Sequence, residues 1–363
     1  MMKPFSFGSG NAAAGPDQEE GRGFASGASR REFLKVLAAA GAGAMVPASV
    51  LMAQTTPAAR AKLGRIDVHH HHNPPEYIKV SQISRRWSWT PATSIEQMDK
   101  YGIATSIVSI TTPGIWFGNV DQTKHLARLS NEYGAQMVKD YPGRFGLFAA
   151  LPLPDVDGSL KELEYAYDTL HADGVGFLSS VGGKYLGDPA FFPVLEELNR
   201  RKAIVFLHVT VPECCGNLVP GGPSSMSEGD FDMVRCLESL MLNGTFSKFP
   251  NIRYIVNHSG GAVPVLAGRI QDRFPKDRVA GVPGGVMNTL KSLYYEVAHA
   301  TYPAPLGALT KFIPTSQMMF GTDYPAEPIE TTTKPLAEFG FSAQDLAAID
   351  RGNAERLFPR LKA

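Results

Sequence analysis

Cysteine is scarce in this sequence: Cys214, Cys215 and Cys236 are the only three among 363 residues. An odd and small number of cysteines argues against a disulfide framework in a chain of this length. We therefore expect buried or incidental thiols. A lone pair of neighbouring cysteines is also a poor ligand pattern for a metal ion, so we do not place a metal site at Cys214 and Cys215.

The sequence also lacks an excess of charge of one sign. Thirty-five basic and 35 acidic residues cancel, and no long block of like charge interrupts the chain. This balance argues against a partner that is recognised through net charge, such as nucleic acid or an anionic membrane surface. With 44% hydrophobic residues, the chain is expected to fold as one large globular domain or two small ones and to act on a small molecule.

The amino-terminal segment contains no apolar run long enough to span a membrane. Residues 36–46 form an apolar stretch of 11 residues, whereas a spanning helix needs about 20. The stretch follows Ser-Arg-Arg-Glu-Phe-Leu-Lys at residues 29–35, which is typical of a twin-arginine export signal. We predict that residues 1–60 are signal and leader. The mature chain would then have no integral membrane segment and would be periplasmic or extracellular.

A nucleotide-binding GxGxxG motif and internal repeats are absent as well, and eight short apolar segments alternate with amphipathic stretches. The predicted strands are residues 65–69, 104–110, 145–151, 175–178, 203–209, 252–258, 293–298 and 318–323. This alternation over about 300 residues favours a (β/α)₈ TIM barrel at residues 61–363 over an open doubly wound sheet. Residues 211–228 are predicted to form an active-site loop. A terminal helix at residues 342–357 is expected to close the barrel.

Four consecutive histidines, residues 69–72, follow a short and mainly apolar segment at residues 63–68. Expression tags lie at chain ends, so this internal run is better explained as a metal site than as a tag. Side chains alternate between the two faces of a strand, so His69 and His71 can share one ion. His70 and His72 are then expected to face away from it.

Other polar residues follow apolar strands further along the chain. His208 ends the fifth predicted strand, His258 ends the sixth and Asp323 ends the eighth. Taken singly, such a histidine is more often a satisfied core or surface group, and Asp323 could cap the following helix. Together with His69 and His71 they would meet at one mouth of a barrel, where active sites lie. Three imidazoles and a carboxylate suit a divalent ion such as zinc.

Four further residues are candidates, and a structural role is favoured for His299 and Asp67 and as plausible as a functional one for Arg86 and Trp89. His299 follows the seventh predicted strand and is a candidate for substrate contact. Asp67 is predicted to share a face with His69, one layer deeper. Arg86 and Trp89 lie in the loop after the first strand, where a guanidinium can hold a carboxylate and an indole can flank a planar ring. A surface arginine beside a tryptophan that packs against the barrel is the alternative.

These motifs together resemble the amidohydrolase-related superfamily. The matching segments are Asp67-x-His69-x-His71, His208, Asn257-His258-Ser-Gly-Gly and Gly321-Thr-Asp323-Tyr-Pro, within residues 66–358. The likeness is to the branch of aminocarboxymuconate-semialdehyde decarboxylase and gamma-resorcylate decarboxylase. Pro142-Gly-Arg-Phe-Gly and Tyr185-Leu-Gly-Asp-Pro bring the chain nearest to 6-methylsalicylate decarboxylase-like proteins.

The resemblance implies roles for the candidate residues. It implies that His69, His71, His208 and Asp323 bind one divalent ion, zinc or alternatively manganese. It further implies that His258 is an acid/base group near the ion, and that the chain forms a homodimer. The implied reaction is a non-oxidative decarboxylation of a small aromatic or unsaturated carboxylic acid similar to 6-methylsalicylate. The sequence does not choose between His258 and Asp323 as the proton donor.

The same residues are compatible with two other functions. A metal-dependent hydrolase would use metal-bound hydroxide to attack an ester, lactone or amide. An exported protein that binds metal without catalysing a reaction would need no acid/base group, so replacement of His258 would leave its function intact.

Overall fold

Eight parallel strands form a barrel in the computed structural model, which describes residues 64–81, 89–216, 219–220 and 226–362. The strands among these residues are β1 (Arg65–His71), β2 (Ile103–Ser109), β3 (Phe145–Ala150), β4 (Gly174–Leu178), β5 (Ser180–Val181), β6 (Lys184–Tyr185), β7 (Ile204–His208), β8 (Arg253–Val256), β9 (Tyr294–Glu296) and β10 (Met318–Met319). The predicted leader, residues 1–60, lies outside the described residues.

Strand order around the barrel follows the chain, β1-β2-β3-β4-β7-β8-β9-β10, and every neighbouring pair is parallel. The last strand meets the first through backbone hydrogen bonds. The Val68 N–H donates to Phe320 O at 3.1 Å, and the Asp323 N–H donates to His69 O at 2.8 Å. These contacts confirm the predicted (β/α)₈ barrel and bring the carboxyl ends of all eight strands to one mouth.

Helices cover the outside of the barrel. They are α1 (Pro75–Ser81), α2 (Pro91–Lys100), α3 (Val120–Asp140), α4 (Val156–Asp168), α5 (Phe192–Arg200), α6 (Glu228–Leu242), α7 (Thr245–Lys248), α8 (Val263–Arg273), α9 (Val286–Lys291), α10 (Pro303–Phe312), α11 (Glu330–Glu338), α12 (Ala343–Ala347) and α13 (Asn353–Leu357). None of them combines the length and apolar character that crossing a bilayer requires, within the part of the chain described above.

The barrel strands form because their residues are almost continuously apolar, as both faces of a parallel sheet are covered. All eight predicted strands are present, and their ends differ from the prediction by at most four residues. The expected terminal helix is divided into α12, a π-turn at Ala348–Gly352, and α13. Beyond it, Phe358 and Leu361 pack in one cluster with Ile66, so the carboxyl terminus covers the end of the barrel opposite the histidines.

A small hairpin that the sequence analysis did not predict follows β4. Ser180–Val181 pairs antiparallel with Lys184–Tyr185 across a two-residue turn. Gly182 and Gly183 occupy that turn with φ values of 55° and 73°. Such values are rare for residues with a Cβ atom and typical of tight hairpin turns.

The cysteines differ from the expectation of three thiols. Cys214 and Cys215 form a disulfide between neighbouring residues, and Cys236 is a buried free thiol. The expectation of thiols at residues 214 and 215 was therefore wrong. The bond closes no long loop of the chain, so it is not part of a disulfide framework that holds the fold together.

Candidate metal centre

The histidine run at the end of β1 places two imidazoles inside the barrel. The Nε2 atoms of His69 and His71 lie 3.1 Å apart, and both side chains are fully buried. The His70 ring points into the helical layer, where its Nε2 lies 2.9 Å from Ser94 Oγ on α2. The structure thus brings together the two histidines that strand alternation selects.

Asp67 does not lie beneath the His69 ring, as strict alternation would place it. The pairing of β1 with β2 changes register between Asp67 and His70, as happens at a bulge. Asp67 Oδ2 lies 3.0 Å from His70 Nδ1, while its Oδ1 accepts the backbone N–H groups of His69 and Thr322. Asp67 therefore ties β1 to the segment after β10.

Asp323 enters the site from the segment after β10. Its Oδ1 lies 2.7 Å from His71 Nε2 and 3.2 Å from His69 Nε2. The backbone of Asp323 is left-handed, with a φ of 59°. This conformation is rare for residues other than glycine and persists where the surroundings enforce it, commonly at functional sites.

His208 at the end of β7 and His258 in the turn after β8 complete the cluster. His208 Nε2 lies 4.0 Å from Asp323 Oδ1, and His258 Nε2 lies 3.6 Å from Asp323 Oδ2. One ligand atom from each of His69, His208, His258 and Asp323 lies within 4.8 Å of the others. Imidazoles and a carboxylate at these distances can hold a divalent metal ion.

Three of the imidazoles have an outer nitrogen held by a hydrogen-bond acceptor. His69 Nδ1–H donates to Glu296 Oε1 at 2.9 Å, and His208 Nδ1–H donates to the carbonyl of the next residue at 2.7 Å. His71 Nδ1 lies 3.2 Å from the carbonyl oxygen at the end of β2. Since these oxygens can only accept, Nδ1 carries a proton in each ring, and Nε2 presents a lone pair to the centre when the ring is neutral.

When the rings are neutral, several acceptor atoms therefore meet at the centre. Among the described residues, His208 Nε2 and Asp323 Oδ1 are buried without a hydrogen-bond partner, although Asp323 Oδ1 lies 2.7 Å from His71 Nε2. Two nitrogens bound tetrahedrally to one zinc ion lie about 3.4 Å apart, close to the 3.1 Å between His69 and His71. The donor set fits a divalent ion such as zinc or manganese.

Glu296 on β9 supports this cluster and was missed by the sequence analysis. Besides the His69 ring, Glu296 Oε1 accepts the His258 N–H at 2.6 Å, and its Oε2 accepts the Ala298 N–H at 2.7 Å. A Cβ atom at Gly321 would lie 2.0 Å from Glu296 Oε2. The available signal was a carboxylate inside an otherwise apolar strand, where an unpaired charge is costly.

The electrostatics of the cluster favour a positive charge at its centre. Burial raises the pKa of Asp323, but the imidazoles, His69 first, hold that pKa well below its usual range. Glu296 also has a lowered pKa, because His69 outweighs the effect of burial. Burial lowers the pKa of His71 to about 3. Against the effect of burial, Glu296 and Asp323 raise the pKa of His69 to about 10.

His258 and His299 form the more open side of the site. His299 Nε2 lies 2.7 Å from Asp323 Oδ2, and the ring centroids of His258 and His299 are 4.4 Å apart. Both histidines have left-handed backbones. Burial lowers the pKa of His258, but the nearby carboxylates of Asp230 and Asp323 raise it to about 9.

Trp89 lies outside the barrel wall. Its indole Nε1–H donates to Ser94 Oγ at 2.9 Å, and the same oxygen contacts His70 Nε2. Trp89 is buried and lines neither of the two cavities at the mouth of the barrel. The structure therefore does not bring Trp89 to the site, and Arg86 lies outside the described residues.

Two cavities lie at the mouth of the barrel. The larger, of about 1100 Å³, is lined by His258, His299 and Asp323. The smaller, of about 550 Å³, lies beside Phe206. His208 lines both, so each cavity reaches the candidate metal centre.

A family of amidohydrolases, described as Amidohydro_2, matches residues 66–360. The chain is 34% identical over 328 residues to a protein named decarboxylase macB from Penicillium terrestre, covering 83% of this chain and 96% of that one. It is 31% identical over 316 residues to a 6-methylsalicylic acid decarboxylase from Penicillium expansum, covering 83% and 98%. These matches confirm the family predicted from the motifs.

A solved structure has the same barrel. It is a dihydroxybenzoic acid decarboxylase from Polaromonas sp. JS666, described with bound manganese and the inhibitor 2-nitroresorcinol. The two chains superimpose with a TM-score of 0.73 at 23% identity, over 83% of this chain and 98% of that one. At this identity the likeness supports the fold alone.

Proposed function

The chain belongs to the amidohydrolase family Amidohydro_2, and we propose that it is a metal-dependent, non-oxidative decarboxylase, a carboxy-lyase. Its substrate is a small aromatic carboxylic acid similar to 6-methylsalicylate. The main support is that four buried side chains meet at one point in the barrel: His69, His71, His208 and Asp323. The relatives of the chain are named decarboxylases.

We assign the ligand roles to His69, His71, His208 and Asp323. The three imidazoles are assigned because their Nδ1 atoms contact acceptors and their Nε2 atoms face Asp323. When bound, a divalent ion orients the carboxylate and the neighbouring hydroxyl of the substrate and withdraws electron density from them. A set rich in nitrogen suits zinc, with manganese as the alternative.

His258 is the acid that this proposal favours. It lines the larger cavity, and its Nδ1 lies 3.8 Å from the half-exposed carboxylate of Asp230, through which it can regain a proton from solvent. Asp323 is the less suitable donor because both of its oxygens face imidazole nitrogens. Hydrogen bonds hold the His258 backbone beside the cluster through Glu296.

The proposed reaction consumes one proton and releases one molecule of carbon dioxide. His258 gives its proton to the ring carbon that carries the carboxylate. The bond between that carbon and the carboxyl carbon breaks, and its electron pair restores the aromatic ring. Carbon dioxide leaves, the new C–H bond keeps the proton, and His258 is reprotonated from solvent.

Carbon dioxide release tests the function. Purified protein loaded with zinc or with manganese is incubated with 6-methylsalicylate and related hydroxybenzoates, and carbon dioxide and the phenolic product are measured. His258→Gln is expected to retain metal and to lose at least 100-fold in kcat, whereas the exposed helix variant His125→Gln keeps both. Lactone opening without carbon dioxide from any acid would favour a hydrolase, and unaltered function in His258→Gln would favour a binding protein.

We further propose that residues 1–60 direct export by the twin-arginine route. The support is the Ser-Arg-Arg-Glu-Phe-Leu-Lys segment followed by a short apolar run. Replacing Arg30 and Arg31 by lysine should retain the protein in the cytoplasm in a fractionation experiment. Equal export of this variant and the unaltered chain would contradict the proposal.

We also propose that the chain forms a homodimer, as the family resemblance implies. Sedimentation of the purified chain over a range of concentrations measures the mass of the assembly. A monomer at all concentrations would contradict the proposal.

A further inference from the structure

The smaller cavity is an apolar chamber beside the candidate metal centre. It has a volume of about 550 Å³ and lies at the carboxyl ends of β2, β3, β4 and β7. Its apolar lining includes Ile110, Ile115, Leu151, Phe177, Leu178 and Phe206. Burial of apolar groups is the main interaction that such a lining offers.

The chamber is continuous with the place where the substrate reacts. His208 lines it and also contributes to the metal cluster. The ring centroid of Phe206, in the wall of the chamber, lies 5.0 Å from that of His69. A ring held at the centre can therefore extend a substituent into the chamber.

Two polar side chains in the chamber wall already have hydrogen-bond partners. Ser180 Oγ and Tyr185 O–H both donate to the buried carboxylate of Asp232, at 3.2 and 2.7 Å. No lysine or arginine is present among the described residues of the lining, and the charged Glu213 is exposed. The described part of the lining thus offers no lysine or arginine to a second acidic group of a ligand, which favours a neutral, apolar occupant.

The size of the chamber exceeds what a single methyl group requires. A cavity of about 150 Å³ accommodates benzene, so about 550 Å³ has room for a substituent of several carbons. We propose that the preferred substrate is a hydroxybenzoate with an apolar substituent longer than methyl, which lies in this chamber while the carboxylate is held at the metal centre. This inference rests on the proposed decarboxylase function.

A homologous series tests the inference on the unaltered enzyme. The kcat/KM for carbon dioxide release is measured with 6-methyl-, 6-propyl- and 6-pentylsalicylate. Because each buried methylene contributes about 0.8 kcal/mol, kcat/KM is expected to rise about fourfold per methylene. If kcat/KM is highest for the methyl compound and falls with length, the inference is overturned while the decarboxylase function stands.

Binding of inert analogues separates failure of the inference from failure of the function. The dissociation constants of the metal-loaded protein are measured for 3-methyl-, 3-propyl- and 3-pentyl-2-nitrophenol, in which a nitro group replaces the carboxylate. Tighter binding with length supports the chamber even if no acid is decarboxylated, and in that case only the proposed reaction fails. Equal or weaker binding of the longer analogues overturns the chamber.

A pair of matched variants locates the substituent. Val181 lines the chamber on the hairpin, and Val279 is half-exposed and lines neither cavity. Val181→Trp is expected to lower kcat/KM for the pentyl compound more than tenfold and to change the methyl compound less than threefold, since an indole fills the chamber. Val279→Trp should change neither value. Equal effects of Val181→Trp on both substrates would place the substituent elsewhere.

Discussion

Glu296 Oε1 accepts a hydrogen bond from His69 Nδ1 at 2.9 Å, with both side chains fully buried. The carboxylate fixes the ring so that its Nε2 faces the metal centre, and it adds negative charge behind a metal ligand. Such supporting carboxylates orient imidazole ligands and increase their basicity. We therefore expect the proposed metal affinity to depend directly on the hydrogen bond between Glu296 and His69.

Removing the charge of Glu296 should weaken metal binding. Glu296→Gln keeps an oxygen acceptor of nearly the same shape but loses the charge, so metal affinity is expected to fall about 10- to 100-fold. Competition with a chromophoric chelator measures the affinity. Glu327→Gln is the control and should bind metal normally, because Glu327 lines the larger cavity without belonging to the metal cluster. Unaltered affinity in Glu296→Gln would show that the charge has no such role.

Neighbouring histidines of the run should differ in their effect on metal content. His71→Asn removes a proposed ligand, and the purified protein is expected to lose its metal. His72→Asn should retain the metal, because His72 Nε2 is bonded to Ser130 O outside the cluster. Elemental analysis of both variants checks this. Equal metal loss in the two would overturn the assignment of His71.

The buried His72 predicts a pH dependence of stability. Burial lowers its pKa to about 4, whereas an unfolded histidine titrates near 6.5. Between these values the unfolded chain binds a proton that the folded chain does not, so the free energy of unfolding falls as pH falls. The contribution of His72 over this interval is roughly 3 kcal/mol. Urea unfolding at pH 7, 5.5 and 4.5 measures this free energy, which should fall less steeply with decreasing pH in His72→Asn than in the unaltered chain. The same pH dependence in both proteins would refute the prediction.

Replacing each of two glycines by alanine should change the free energy of unfolding in opposite directions. At Gly321 the new Cβ would lie 2.0 Å from Glu296 Oε2, so Gly321→Ala is expected to lower the free energy of unfolding by about 1–3 kcal/mol. At Gly268, inside α8, no atom other than those of the neighbouring residues and helix backbone lies within 4 Å of the new Cβ. Gly268→Ala should therefore raise that free energy by about 0.5–1 kcal/mol. Thermal unfolding of both variants distinguishes these effects from a general intolerance of alanine.

The disulfide predicts the number of free thiols. Denatured, unreduced protein is expected to show one reactive thiol per chain, from Cys236, and the reduced protein three, since Cys214 and Cys215 are joined. Thiol titration in denaturant measures both numbers. Three reactive thiols without reductant, in protein purified under oxidising conditions, would contradict the bond.

Much of the fold was predictable from local pattern. Each barrel strand is an apolar run of a few residues between turns, and this signal does not depend on distant partners. The histidines and Asp323 were found because they directly follow such runs, and the carboxyl ends of parallel strands share one mouth. The hairpin after β4 was missed because its strands have two residues each, too few for a periodic pattern.

Contacts between residues that lie far apart in the chain could not be predicted from the sequence. Glu296 stands 227 positions from the His69 ring that it orients. The register change in β1 moved Asp67 from the expected face to His70, since pairing with β2 decides it. Trp89, a candidate for substrate contact, packs behind the barrel wall because Ser94 on α2 accepts its indole N–H.

The sequence by itself determined the barrel, the family and the residue types that gather at its mouth, because these depend on local hydrophobicity and on short motifs. Only the tertiary structure decided which nitrogen of each imidazole faces the centre and which carboxylate supports it. It also decided that an apolar chamber lies beside His208. The reason is physical: hydrogen-bond direction and cavity shape arise from side chains on different strands, whose relative positions exist only once the barrel has closed.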